Sequence, residues 1–274
     1  MKKLLYILTI TLLFINCEDV VEIDVPEGDP RLVIDASFQK YFDEDPITTE
    51  GGVKLSLSTP FYDEDIPPVS TATVFITNLQ DNTVINFEES SEPGFYVPDT
   101  PFFEQPELNI DYELTVIYDN ETYKATTQLF PTVPIDNIVQ GDRTLFDGDE
   151  TEIIISFTDD PLVDNFYLFD FDFNLYSAAE DRFISGDGNF SYFYDDMVAG
   201  QEITIKVLGI DKQYFEYSSQ IIEQSGQDGG GPFEVPPTIA RGNIINTTNS
   251  DNFAFGYFNL SEADRFSLTI VEKE

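Results

Sequence analysis

The chain has 274 residues, and 52 acidic against 13 basic residues give it a formal net charge of −39. It has no histidine, no tryptophan and one cysteine, which excludes Ser-His-Asp and Cys-His catalysis, His-ligated zinc and an intrachain disulfide. The strong negative charge repels phosphate backbones, so we expect no nucleic-acid partner, while 41% hydrophobic residues suffice for a folded core.

The N-terminal segment has the pattern of an export signal. Two lysines precede a mostly apolar run, Leu4 to Ile15, which is too short to span about 30 Å of hydrocarbon. The run stops just before Cys17, an arrangement that looks like a bacterial lipoprotein signal. We predict a signal peptide at residues 1–16, lipidation at Cys17 and an acidic tether at residues 17–30. The alternative is a secretory signal with an incidental cysteine.

Short β-rich segments dominate residues 31–130. Alternate residues from Tyr112 to Tyr118 are apolar, Asp119-Asn120 provides a turn, and residues 112–129 are therefore predicted to form a hairpin. The other candidate strands are Leu32–Phe38, Val53–Leu57, Thr73–Thr77, Val84–Phe87 and Phe95–Val97. About seven short strands in about 100 residues predict an immunoglobulin-like sandwich.

Two prolines in Pro131-Thr132-Val133-Pro134 interrupt this pattern and mark a predicted domain boundary, because proline cannot donate to a β-ladder. Residues 135–274 form a second β-rich domain. Its predicted strands are Ile153–Phe157, Phe166–Tyr176, Gln201–Leu208, Phe253–Phe258 and Arg265–Val271.

One helix is predicted in this second domain. Asp211 is its expected N-cap, the helix runs to about Gln224, and Gly226 follows as the stop. The residues expected on its buried face are Tyr214, Ser218, Ile221 and Ile222. The predicted fold class is therefore all-β, with two β-sandwich-like units, the first immunoglobulin-like, and one short helix in the second.

Two acidic groups were considered as chemical sites. Asp170 and Asp172 lie on one predicted strand face, about 7 Å apart, within reach of a glycosidase carboxylate pair. The simpler interpretation is a solvated strand face, because a working acid would need a pKa raised by an apolar pocket. The second group, Asp142, Asp147, Asp149 and Glu150, has oxygen ligands suited to Ca²⁺ but lacks the spacing of a known calcium loop.

Other patterns also have simple structural explanations. Gly229-Gly230-Gly231 lacks the strand, helix start and lysine of a phosphate-binding loop. The 25 Phe and 14 Tyr could stack on a sugar, but aromatic residues at period two are usually core. We therefore predict no catalytic residue, no metal site and no cofactor, and the chain is not expected to be an enzyme.

The segment from Gly226 to Ile245 is the predicted partner contact. It is rich in glycine and proline and too long for an ordinary connection in a compact sandwich. Phe233 and Val235 are its expected apolar anchors. The alternative is that Phe233 packs back onto its own domain.

The order of several motifs resembles a lipoprotein family of the Bacteroidota, domain of unknown function 4249 (DUF4249), over nearly the whole mature chain. The motifs that carry the resemblance are Cys17-Glu18, Ile23-Asp24, Arg31-Leu32-Val33-Ile34-Asp35, Gly94-Phe95-Tyr96, Tyr112-Glu113-Leu114, Pro232-Phe233-Glu234-Val235-Pro236, Gly242-Asn243-Ile244 and Gly256-Tyr257-Phe258. The resemblance implies a cell-envelope protein, often encoded beside a TonB-dependent outer-membrane receptor, and it implies no enzyme activity.

These observations leave two functions open. The first is a non-enzymatic lipoprotein of the outer membrane, on its periplasmic face or at the cell surface, that assists a TonB-dependent transporter. The second is an acidic surface domain that binds a glycan, a peptide or calcium without a transporter partner.

Overall fold

The computed structural model describes residues 28–60, 63, 65–99, 106–145, 148, 150–158, 165–181, 187–195, 197–225 and 238–272. Within them the chain forms fifteen strands and one helix, which confirms the prediction of a mostly-β chain with one short helix. The strands are β1 (Leu32–Tyr41), β2 (Thr48–Leu57), β3 (Thr73–Asn78), β4 (Val84–Glu89), β5 (Phe95–Pro98), β6 (Asp111–Tyr118), β7 (Glu121–Phe130), β8 (Ile135–Gln140), β9 (Thr151–Thr158), β10 (Phe166–Asp170), β11 (Tyr176–Glu180), β12 (Asp187–Tyr194), β13 (Glu202–Ile210), β14 (Ile245–Asn246) and β15 (Phe255–Thr269). The helix, α1, is Lys212–Gln224. In this part of the chain, no helix has the length and hydropathy needed to cross a membrane.

Eight strands form a closed, barrel-like ring. Its order is β15, β1, β2, β5, β4, β3, β6 and β7, and the ring closes where Leu260 and Ser261 of β15 pair with Leu129 and Phe130 of β7. This ring replaces the immunoglobulin-like sandwich expected for residues 31–130. The expectation failed because the strand that closes the ring comes from residues 255–269, far outside that segment.

The ring encloses the first hydrophobic core. Strand β1 alternates between the two faces, and its buried residues Leu32, Ile34, Ala36 and Phe38 all belong to this core. The ring of Phe38 packs edge-on against Phe258 of β15, with centroids 6.3 Å apart. Packing therefore fixes the alternate residues of β1 that point inward, and the residues between them face outward.

The second core combines a separate three-stranded sheet, in the order β12, β9, β8, with strands β10 and β13. Buried aromatic residues dominate its centre, and Phe169 stacks on Phe190 with centroids 5.4 Å apart. Strand β15 also reaches this region, because its C-terminal half pairs antiparallel with β13. The proposed limits of 31–130 and 135–274 for two domains stay a prediction.

Local signals in the sequence placed several elements correctly. The predicted hairpin is β6 and β7, joined by Asp119 and Asn120, which both have positive φ. The helix begins after Asp211, whose side chain accepts a hydrogen bond from the Tyr214 backbone N–H at 2.8 Å. The helix ends at Gln224 as predicted, but only two of the four expected residues, Ser218 and Ile222, are buried.

Two strand predictions were wrong. The expected strand Phe166–Tyr176 breaks after Asp170, because Asp172, Phe173 and Asn174 all adopt positive φ and form a turn between β10 and β11. The two strands expected near the end of the sequence are one continuous strand, β15. A long strand that pairs with several partners carries no turn signal for the sequence to reveal.

Gly256 is required where β15 meets β1. The two strands run parallel with Ile34 beside Gly256, and a Cβ on Gly256 would lie 1.9 Å from the Ile34 carbonyl oxygen. Its φ of +100° is also unfavourable for a residue with a side chain. Steric exclusion and backbone conformation therefore both demand glycine here.

We expect Gly256→Ala to destabilise the protein more than Gly200→Ala. Gly200 has a similar φ of +91°, but an added Cβ meets nothing within 4 Å, so that variant should show only the backbone strain of about 1–3 kcal/mol. Gly256→Ala should lose about 1–3 kcal/mol more, through the clash with β1. Urea unfolding measures both values, and equal losses would show that the β1 contact is not tight.

Candidate ligand-binding site

A cavity of about 460 Å³ lies between α1 and the outer face of the sheet. Strand β1 lines it with Val33, Asp35, Ser37 and Gln39, which are the alternate residues of the strand that face away from the first core. The remaining lining residues are Leu168, Asp170, Tyr176, Leu208, Tyr214, Tyr217, Ser218, Ile221, Ile222, Gly256 and Tyr257. The cavity is therefore built from strands that are far apart in the sequence and from the helix.

Three tyrosines form one cluster in the cavity wall. Tyr257 of β15 packs against Tyr214 and Tyr217 of α1, with ring centroids 4.7 and 5.1 Å away. The Tyr257 hydroxyl also donates to Asp211 Oδ1 at 3.4 Å, the oxygen that caps the helix. The N-cap thus connects the first turn of α1 to β15 and fixes the position of the cluster.

Asp35 is the unpaired carboxylate of the cavity. In the sheet it lies between Tyr257 of β15 and Lys54 of β2, and its carboxylate makes no hydrogen bond or ion pair with another described residue. The side chain is open to solvent through the cavity, yet enough protein surrounds it for desolvation to raise its pKa, against the opposing effect of Lys54. Among the described residues, Asp35 therefore has a cross-strand cation, Lys54, but no direct ion pair.

The neighbouring tyrosines remain protonated near neutral pH. Desolvation raises the pKa of Tyr217 to about 12, and the charge of Asp35 contributes to the shift. Desolvation also raises the pKa of Tyr214, with Asp35 again contributing. The cluster therefore presents neutral rings and hydroxyl groups beside one carboxylate.

Asp170, the second carboxylate in the lining, differs from Asp35 in having a lysine within ion-pair distance. Lys206 Nζ lies 3.7 Å from Asp170 Oδ2 and 3.4 Å from Glu50 Oε2. Desolvation raises the pKa of Asp170, while a hydrogen bond from the Asp172 backbone N–H and the charge of Lys206 act in the opposite direction. Asp170 is therefore partly neutralised within the protein.

The structure does not place Asp170 and Asp172 as a pair on one strand face. Asp172 lies in the turn after β10, where its carboxylate accepts hydrogen bonds from the backbone N–H groups of Phe173 at 2.9 Å and Thr204 at 3.2 Å. Those contacts give Asp172 a structural role in the turn. The prediction that the two carboxylates share a strand face was wrong, because the strand ends between them.

The structure describes only part of the acidic cluster near residue 150, namely Asp142 and Glu150. Glu150 Oε2 accepts hydrogen bonds from the backbone N–H groups of Leu145 at 3.3 Å and Gly148 at 3.1 Å, while Asp142 is exposed. Asp147 and Asp149 lie outside the described residues. Among the residues that are described, no three His, Cys, Asp or Glu side chains form a group that could hold a metal ion.

Several other predicted positions also lie outside the described residues. They are Cys17, Gly229-Gly230-Gly231, Phe233 and Val235. The end of the predicted contact segment is described from residue 238, and Ile239 and Ile245 within it are each 66% exposed.

Three segments that carry the sequence resemblance contact one another around Gly256, which lines the cavity. Ile34 pairs with Gly256, and a Cβ on Gly242 would lie 1.7 Å from the Gly256 carbonyl oxygen. The Asn243 side-chain amide donates to the Phe258 carbonyl at 2.8 Å and accepts from the Phe258 N–H at 2.9 Å, as a neighbouring strand would. These motifs are therefore linked by direct contact.

Asp35 and the three tyrosines were not predicted from the sequence to form a site. Asp35 was noted only within a motif, and Tyr214 only as a buried helix residue. The available signal was the outward position of Asp35 in β1 and the spacing of Tyr214 and Tyr217 on one side of α1. Their convergence depends on the pairing of β1 with β15, which no local pattern indicates.

The comparisons with known proteins identify a family. The model of the family named "Domain of unknown function (DUF4249)" matches residues 18–267. A search of the curated proteins found no match. Among solved structures, the crystal structure of the chicken interferon gamma receptor alpha chain matches at 7% identity with a TM-score of 0.18, covering 66% of this chain and 89% of the receptor chain. A superposition of this quality supports no conclusion about fold or function.

We expect Asp35→Asn to raise the free energy of unfolding more at pH 7 than at pH 3. The folded-state pKa of Asp35 is raised above its usual value of 3.8, so the folded protein binds this proton more tightly than the unfolded chain does. The wild type therefore loses stability as the pH rises from the unfolded-state pKa to the folded-state pKa. The amide cannot ionise and avoids this loss. The gain in free energy of unfolding, measured by urea titration, should therefore be larger at pH 7.

Asp81→Asn is the matched control, for which we expect the opposite pH dependence of the stability change. A hydrogen bond from the Thr83 backbone N–H holds the pKa of Asp81 below its usual value, so its carboxylate stabilises the fold above that pKa and loses this effect in acid. Asp81→Asn should cost more stability at pH 7 than at pH 3. An Asp35→Asn effect that does not change with pH would contradict the desolvation of Asp35.

Proposed function

The chain belongs to the DUF4249 family, and on that basis we propose that it is a non-enzymatic, lipid-anchored protein of the outer membrane that assists a TonB-dependent transporter. We place it on the periplasmic face or at the cell surface. The support is the N-terminal signal pattern ending at Cys17 and the sequence resemblance, which implies a cell-envelope protein often encoded beside such a receptor.

The cavity beside α1 is the observation that gives this proposal its chemistry. Its lining combines apolar residues, a tyrosine cluster and few polar groups, the composition of a small-molecule binding site. The two carboxylates have different surroundings, but neither is paired with a nucleophile in the lining. We therefore propose that the protein binds a ligand here and presents it to the transporter, without transforming it.

The two-unit organisation, with residues 31–130 and 135–274 as separate units, remains part of this proposal. Two distinct hydrophobic cores support it, one inside the ring and one between the three-stranded sheet and strands β10 and β13. The first core also takes in Ala254, Phe258 and Leu260 from the second segment. The units would therefore share β15.

The alternative function is an acidic surface domain that binds a glycan, a peptide or calcium without a transporter partner. The observation in its favour is the tyrosine cluster in the cavity wall, which suits stacking on a sugar ring. Recovery of a receptor with the protein from membranes distinguishes the two functions.

We expect Cys17→Ser to release the protein from the membrane fraction. Each buried CH₂ of an acyl chain contributes about 0.8 kcal/mol, and stable anchoring requires more than one chain, so removal of the lipidation site should abolish the attachment. Fractionation followed by a salt wash measures this. A Cys17→Ser protein that stays with the membrane after the wash would show that the anchor is elsewhere.

We further expect a β-barrel receptor to copurify with the protein from outer membranes solubilised in mild detergent. Phe233→Ala combined with Val235→Ala should reduce that recovery several-fold while the melting temperature stays nearly unchanged, because truncating apolar anchors weakens an interface. The control is Ile66→Ala combined with Val198→Ala, which removes two apolar side chains that are 65% and 64% exposed. Unchanged recovery with the first double variant, or no receptor with the wild type, would contradict the proposal.

A further inference from the structure

We propose that the cavity beside α1 binds a small organic cation, an ammonium ion carried on an apolar body, with Asp35 as its counter-ion. The tyrosine cluster of Tyr214, Tyr217 and Tyr257 would provide the aromatic surface for that ion. This inference rests on the proposed function, in which the cavity is the ligand site, and it names the chemical class of the ligand.

Charge is the first argument for a cation. None of the other described residues forms an ion pair with Asp35, whereas Lys206 lies within ion-pair distance of the other carboxylate, Asp170. No Lys or Arg is among the described residues that line the cavity. An anionic ligand would meet two carboxylates and no cation there, while an ammonium ion would supply the partner that Asp35 lacks.

The tyrosine cluster is the second argument. Aromatic rings attract an ammonium ion through their faces, and the attraction is larger where water is partly excluded. The rings of Tyr214, Tyr217 and Tyr257 contact one another, with centroids 4.7 to 6.2 Å apart, so the ion would lie against the cluster and not between the rings. Asp35 and the three tyrosines all line this one cavity, and the strand register places Asp35 directly beside Tyr257.

Size and long-range charge favour an organic ion over a metal ion. A volume of about 460 Å³ suits a small organic molecule, and Leu168, Leu208 and Ile222 supply apolar surface for its body. Calcium takes six to eight oxygen ligands, and among the described residues no three His, Cys, Asp or Glu side chains form a group that could hold a metal ion. The net charge of −39 would also concentrate cations around the protein.

The test is calorimetric titration of the purified full-length protein with two cations and their neutral isosteres. Choline is paired with 3,3-dimethylbutan-1-ol, and benzylammonium with benzyl alcohol. At low salt, at least one cation should bind about tenfold or more tightly than its isostere, because a charge-assisted contact is absent from the neutral compound. Equal affinities within both pairs, or no binding of either cation, would overturn the proposal.

Four variants locate the interaction. Asp35→Asn should weaken cation binding about tenfold and remove the preference over the isostere, without affecting the fold. Tyr217→Leu should weaken binding, and Tyr217→Phe should restore it because the ring is retained. Glu216→Gln, the control, removes an equal charge from an exposed position on the same helix, outside the cavity lining, and should leave binding unchanged.

The remaining outcomes are equally decisive. Cation binding that survives Asp35→Asn would show that another site is responsible and would overturn the proposal. Binding of a neutral sugar such as maltose, without a preference for charge, would identify a glycan site instead. Because none of these titrations involves a membrane or a receptor, their failure is separate from a failure to recover the transporter.

Discussion

The contact between β1 and β15 is the constraint on which the rest of the structure depends. The strands run parallel from Val33 beside Phe255 to Tyr41 beside Ala263, and Gly256 allows them to approach. This pairing, with the short contact to β7, closes the ring around the first core. The same strand then continues alongside β13 and reaches the second core. A single strand therefore contributes to both the first and the second core.

The cavity is a consequence of that pairing. Because the even-numbered residues of β1 from Leu32 to Phe38 are used by the core, Asp35 points outward, and the register places it beside Tyr257. The helix completes the wall, with Asp211 capping its first turn and contacting Tyr257. Local rules of strand alternation and helix capping thus position the site once the long-range contact has formed.

Local signals were enough to predict the hairpin of β6 and β7 and the start and end of α1, because turn residues and an N-cap act over a few positions. The closed ring was not predictable in the same way. Its last strand, β15, pairs with residues about 220 positions away, such as Ile34 with Gly256, and alternation does not specify a partner. The turn at Asp172 was missed because alternating aromatics continue through it, although three successive residues there have positive φ. The site was missed for the same reason as the ring, since Asp35 and Tyr257 become neighbours only through that distant pairing.

The late position of β15 in the sequence has a kinetic consequence. During synthesis, strands β1 to β7 emerge long before their closing partner, so the ring must remain open with an unpaired β1 edge. Contacts between distant residues require the chain to lose loop entropy before any stabilisation is gained, and folds dominated by them form slowly. The first core, which includes Phe258 and Leu260, therefore cannot be completed until β15 has been synthesised.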